Sequence, residues 1–209
     1  MDRTCSESMR VQKPVGITGG IGSGKSSVAR FCKEQFGVQY INADEVCRDL
    51  LAPGEPGWKD FVSTFGETFL LPGQAIDRQK LRKTIFQDHK LRERLGDLVH
   101  PLAKAEIKYI LAQTDPFRCL VEVPLLYEVG WEDDFRAVIV VYATDKCCLN
   151  RLMQRDHLSL DAATEAIESQ LSLTEKASRA DHVIDNSGDW SDTCKQVLKL
   201  GKTLWGAGW

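Results

Sequence analysis

Residues 19–26 read GGIGSGKS. Before them stands a short apolar run, Val15-Gly16-Ile17-Thr18; after them Ser27-Val28-Ala29-Arg30-Phe31 has the pattern of the first turns of an amphipathic helix. Gly19, Gly24, Lys25 and Ser26 complete the G-x-x-x-x-G-K-[ST] phosphate loop at each defining position. The glycines at 19, 20, 22 and 24 allow positive φ and close approach of the backbone to a bulky anion. Successive backbone N–H groups then form an anion-binding nest, and the helix behind adds the positive end of its dipole. Lys25 can reach the β- and γ-phosphate oxygens of a nucleoside triphosphate, and the Ser26 hydroxyl is placed to ligate Mg²⁺. The residues expected to touch nucleotide are Gly20, Ile21, Gly22, Ser23, Gly24, Lys25, Ser26 and Ser27, with Ser26 also on the metal.

Outward from this loop, short apolar runs alternate with helical stretches. The strand candidates are Val15–Thr18, Val38–Ile41, Cys119–Val123, Ala137–Ala143 and His182–Ile184. Alternation of this kind predicts an α/β fold with three layers, a parallel five-stranded sheet between helices. The continuous apolar run at 138–143 is expected to be a central strand. The segment APGEPGW at 52–58 is the clearest break. From about 56 to 115 the pattern is helical, with helices near Trp58–Phe65, Arg78–Phe86 and Asp88–Gln113. His100-Pro101 predicts a kink or a join in the last of these. We take the stretch as an insertion on a single domain spanning 13–209. Two further helices, Asp145–Arg155 and Leu160–Leu171, form a candidate lid at about 145–172, and Trp190–Trp205 is an amphipathic tail.

Composition narrows the class. The chain has 209 residues, 43% hydrophobic and 27% charged, with a formal net charge of −3. A globally basic surface for nucleic acid is therefore absent. No apolar stretch reaches the roughly 18 residues that span a bilayer. Residues 1–12 are polar, lack the apolar centre of a signal peptide and are expected to be disordered. Seven cysteines without a CxxC pair point to reduced thiols in a cytoplasmic protein.

A phosphate loop alone does not fix an activity. A regulatory GTPase needs a DxxG switch after the third strand and an NKxD base reader; the chain reads VPLLYEVG there. A motor ATPase needs an apolar strand ending in an acidic pair, and VIVVYATD does not provide one. The segment RLMQRD at 151–156 places Arg151 and Arg155 on one helix face. Arginines on a lid neutralise charge on a transferring phosphoryl group; as a bland alternative they form a solvated basic face paired with Asp156 and Glu165. Asp44 follows the second strand, at the edge where open α/β sheets bind ligands. Its spacing fits either a base that accepts a hydroxyl proton or a helix N-cap.

Several segments come in the order and spacing of one family. They are GITGGIGSGKSSVA, NADEVCRDLLAPGEPGW, HP at 100–101, VPLLYE at 123–128, RLMQRD at 151–156 and KASRADHVIDNSG at 176–188. From about Val15 to Gly188 the chain resembles the dephospho-CoA kinases. The resemblance implies a nucleoside-monophosphate-kinase-like core with a CoA-binding helical part and a lid. It implies transfer of the γ-phosphate of ATP, with Mg²⁺, to the ribose 3′-hydroxyl of dephospho-CoA, the last step of coenzyme A biosynthesis. By the same resemblance Asp44 takes the base position of a D-x-D motif, Arg151 and Arg155 the lid arginines, and Asn186 and Gly188 the loop beside adenine. Two positions depart from the pattern: Asn42 replaces the first Asp of D-x-D, and Glu122 replaces an Asp just before VPLL. Glu122 is expected to reach Mg²⁺ through water or to pair with a lid arginine, and Glu128 to pair with the helical insertion. The partner implied is a small molecule, not nucleic acid or membrane, with the monomer the favoured state. Alternatives from the residues alone are a kinase of another small hydroxylated metabolite and a nucleotide-dependent switch.

Overall fold

The apolar runs become five parallel strands of one sheet: β1 (Val15–Thr18), β2 (Gln39–Asn42), β3 (Cys119–Glu122), β4 (Ala137–Tyr142) and β5 (His182–Asp185). The computed structural model describes residues 13–206, apart from the side chains of residues 86, 87 and 89; the expected disorder of residues 1–12 lies outside them. The strand order is β2-β3-β1-β4-β5. The middle strand is β1, and β4, the longest apolar run, is interior between β1 and β5, as its pattern predicts. The four residues of β1 are all buried, as are those of β3, whereas β2 and β5 are half exposed at the two edges. This distribution explains the sequence pattern: interior parallel strands, covered on both faces, read as unbroken apolar runs.

The chain divides into two compact units, residues 43–113 and the remainder. In the sheet-bearing unit, α1 (Lys25–Phe36) and α9 (Trp190–Trp205) cover the sheet. Val28, Ala29, Cys32 and Phe36 of α1 join Val197, Leu204 and Trp205 of α9 in one buried cluster with strand residues. Gly201 makes this packing possible, because a Cβ there would lie 2.1 Å from the Phe36 ring. Cys32 is sealed in the cluster, and burial pushes its thiol up to about 12. The α1 helix stops where Gly37 turns left-handed (φ 60) and donates to Lys33 O at 2.9 Å, as glycine past a helix end commonly does.

The same unit carries α6 (Asp145–Asp156), α7 (Leu160–Glu168) and α8 (Leu173–Arg179). The helix expected over 160–171 ends early, and α8 is additional. The cause is local: Ser172 accepts from Glu175 N at 3.1 Å and starts a new helix, and Glu three residues after Ser is a capping-box spacing.

The unit of residues 43–113 is helical, with α2 (Ala43–Leu50), α3 (Pro56–Phe65), α4 (Arg78–Gln87) and α5 (His89–Ala112). Asp77 and Asp88 cap α4 and α5 through Lys80 N and Leu91 N. Phe61, Phe69, Leu81 and Val99 are buried together, with the Phe61 and Phe65 rings 4.9 Å apart. No join occurs at His100-Pro101; α5 runs through Pro101 as one helix of 24 residues. An interior proline removes one helical hydrogen bond and costs about 3 kcal/mol. Here a long helix with bonds on both sides and buried Val99 beside it tolerates that loss. Gly96 makes room for the His100 ring, whose Cε1 lies 2.9 Å from where a Cβ would stand. His100 therefore packs on an intact helix.

Candidate active site

The loop between β1 and α1 sits at the carboxyl end of the central strand, where β3 flanks one side and β4 the other. Such reversal points leave a crevice for ligands in open α/β sheets. Gly22 and Gly24 take φ 80 and 90, and side chains there would collide with Cys148 O at 2.8 Å and Asn186 Nδ2 at 2.2 Å. Gly20 is not left-handed; a Cβ on it would instead press on Leu173. Lys25 opens α1, and no acidic residue stands in the first turn to compete with an anion. Gly20 to Ser27 therefore form one continuous loop and helix start, as the motif requires.

The Ser26 hydroxyl donates to Glu122 Oε1 at 2.7 Å. Glu122 ends β3 and is 2% exposed. Its other oxygen accepts from Tyr40 OH, which in turn accepts from Asn42 Nδ2 at 3.1 Å. Neighbouring strands β2 and β3, in register at Asn42 and Glu122, thus hold the carboxylate against Ser26. The acidic strand end missing from the 138–143 run stands here, on β3. A hydroxyl and a carboxylate converging beside a phosphate loop suit Mg²⁺, which takes one or two carboxylates and fills its octahedron with phosphate oxygens and water. Glu122 does not pair with a lid arginine.

Arg151, on α6, spans the back of the loop. Its Nη1 lies 3.3 Å from both Gly22 O and Ser23 O, and its Nη2 donates to Asn186 O at 2.7 Å. Asn186 is buried, donates to Ser23 O at 2.8 Å and accepts from Thr193 Oγ1 at 3.0 Å. Arg155 does not join this group. Its exposed guanidinium forms a fork on Asp156 at 2.7 and 2.8 Å, the solvated ion pair that was the bland reading of this face. In the other unit Asp44 is the second residue of α2, exposed and in its first turn with Glu45, so it is not the helix cap.

A family model for dephospho-CoA kinase matches residues 13–192. The chain belongs to the dephospho-CoA kinase family. A dephospho-CoA kinase of Arabidopsis thaliana is 39% identical over 189 residues, covering 89% of this chain and 81% of the relative. One of Bacillus licheniformis is 40% identical over 192 residues, covering 89% and 94%. Among solved structures, a dephospho-CoA kinase from Campylobacter jejuni matches with a TM-score of 0.67 at 28% identity, over 92% of this chain and 96% of that one. A shikimate kinase from Acinetobacter baumannii, at 11% identity and TM-score 0.53 over 93% of each chain, shares the fold alone.

The five-stranded parallel sheet stands as expected, and some contacts emerge only from the structure. Tyr40 and Thr193 orient Glu122 and Asn186, yet nothing in their local sequence marks them. Glu128 has its partner within the sheet-bearing unit. It meets Lys176 of α8 at 2.8 Å, and that lysine is fully buried. A lysine in KASRAD at 176–181, followed by an apolar strand, carried a weak signal of this kind. In the helical unit three basic side chains serve the fold: Arg78, Lys80 and Arg94 donate to Arg48 O, Thr68 O and Thr64 O. Trp58 likewise packs there, donating to Gln74 O at 2.8 Å.

Proposed function

We propose that this protein transfers the γ-phosphoryl group of ATP to the ribose 3′-hydroxyl of dephospho-CoA, releasing coenzyme A and ADP. The Ser26–Glu122 pair beside the phosphate loop carries the reading, together with membership of the family. Phosphoryl transfer is catalysed chiefly by positioning and by charge stabilisation. Gly20 to Ser27 supply backbone N–H groups and Lys25 a mobile cation for the phosphates. Ser26 and Glu122 would hold Mg²⁺, whose charge would offset that of the phosphate oxygens. Arg151 fixes the loop carbonyls so that the opposite N–H faces stay turned to the nucleotide, and Asn186 stands on the adenine side. Asp44 orients the 3′-hydroxyl and takes its proton; Arg155 contributes by leaving Asp156 when the lid segment 145–172 meets nucleotide. The helical part receives dephospho-CoA, and the working form is a cytoplasmic monomer. No described helix is long and apolar enough to cross a membrane.

The test is a product assay with ATP and Mg²⁺ in which dephospho-CoA, nucleosides and gluconate are offered in parallel. Formation of 3′-phosphorylated coenzyme A alone is the expected result. Equal or faster transfer to another acceptor sinks the substrate assignment.

A further inference from the structure

The proposed chemistry leaves one loop contact unused. Ile21 N, an amide of the phosphate loop, donates to Gln170 Oε1 at 3.0 Å. Gln170 lies in the turn between α7 and α8, 149 positions away in sequence. A side-chain amide that satisfies a loop N–H across such a distance sets where that part of the loop stands. Ile21 is two residues past the loop's first glycine, so the contact governs the leading edge of the cradle.

The turn is itself anchored. The next residue, Leu171, donates its N–H to Glu128 Oε1 at 3.1 Å. That carboxylate pairs with Lys176 Nζ at 2.8 Å, and the ammonium also donates to Pro124 O at 3.0 Å. Pro124 O accepts in addition from Thr18 Oγ1 at 3.1 Å, at the last residue of β1 before the loop begins. A closed circuit therefore runs from Ile21 through Gln170, Leu171, Glu128, Lys176 and Pro124 back to Thr18. Lys176 is fully buried and Glu128 is 20% exposed. Breaking such a pair leaves an uncompensated charge, so its two partners hold each other in place.

We propose that Gln170 is a positioning residue for the phosphate loop and that Glu128, paired with the buried Lys176, holds it in that position. The inference rests on the assigned reaction. Its consequence is selective: losing the acceptor lets the Ile21 edge of the cradle drift, which weakens the grip on ATP without touching the acceptor substrate.

The experiment compares wild type with Gln170→Ala, Gln170→Glu, Glu128→Gln and the double variant Gln170→Ala/Glu128→Gln. Steady-state constants are measured for both substrates, and Tm for each protein. Gln170→Ala should raise KM for ATP about tenfold, in line with one lost hydrogen bond, with KM for dephospho-CoA within about twofold. Gln170→Glu keeps an acceptor but sets a negative charge beside the triphosphate. It should weaken ATP at least as much as alanine does, and the defect should shrink in high salt. Glu128→Gln should give a smaller rise in the same constant, and the double variant should match Gln170→Ala, because both changes act through one contact. An ATP KM within twofold of wild type in both Gln170 variants overturns the proposal. So do losses shared by both substrates, losses that follow a fall in Tm, or strictly additive effects in the double variant. A wild type inactive on dephospho-CoA refutes the reaction instead, which separates the two failures.

Discussion

At the scale of single residues, function concentrates where short polar side chains meet main-chain groups. Ser26 is both the second residue of α1 and the partner of Glu122. Removing its hydroxyl by Ser26→Ala takes away the proposed metal ligand while the loop amides remain. Turnover should fall about 100-fold, within the range for losing one preorganised contact to a transition state, and more Mg²⁺ should be needed for half-maximal rate. A Mg²⁺ titration of initial rates checks both. Asp44→Ala should lower kcat by a factor of about 100 or more, as for loss of a general base, while ATP still binds; calorimetry with a non-hydrolysable analogue, set beside the kinetics, decides it. Near-normal turnover removes Asp44 from the base role. The loop residues were legible because they are contiguous and each type has one job. Glu122 was legible only as a departure from a pattern, since its meaning depends on Ser26, 96 positions away. Gln170 was not legible at all: a glutamine in a turn carries no local mark of the amide it will meet.

At the scale of elements, helix starts were readable, and which strand takes the middle was not. Asp77, Asp88 and Ser159 cap helices whose starts fall on the residues following them, because capping is local chemistry. Which strand lies in the middle is a property of pairing, and four-residue β1 gives less apolar signal than six-residue β4. The proline in α5 does not mark a join for a related reason, since local propensity yields to packing in a long helix. The contact of α1 with α9 depends on one missing side chain. Gly201→Ala forces a methyl group into the Phe36 ring, and overpacking of this kind costs ~1–3 kcal/mol. A urea midpoint lowered to match, with the slope unchanged, is the expected outcome; an unaltered midpoint shows that the two helices can slide apart freely.

For the whole molecule, pH acts through groups whose titration differs between folded and unfolded chains. His100 is the clearest case. Burial lowers its pKa below the ordinary value, and nearby Asp97 offsets this only in part. The unfolded chain therefore takes up a proton near pH 6.5 that the folded chain still refuses. Below that point the unfolded state binds more protons, so stability falls as pH drops through the unfolded pKa and stops falling below the folded one. Between pH 7.5 and 5.5, wild type should lose more Tm than His100→Gln, and scanning calorimetry of the two proteins at both pH values reads the difference. Equal losses would assign the acid sensitivity to other groups.

The thiol of Cys32 lies two turns down α1 from Lys25 and has no path to solvent. It can meet an alkylating reagent only when this part of the protein opens, so its labelling rate is a clock for opening. Ligand that binds at the front of the same helix must slow that clock by mass action. With MgATP at one hundred times its dissociation constant, incorporation at Cys32 should slow about 100-fold if opening abolishes binding. Half-exposed Cys194 should keep its pace. Peptide mass spectrometry over a time course turns a silent buried sulfur into a gauge of nucleotide occupancy that needs no turnover.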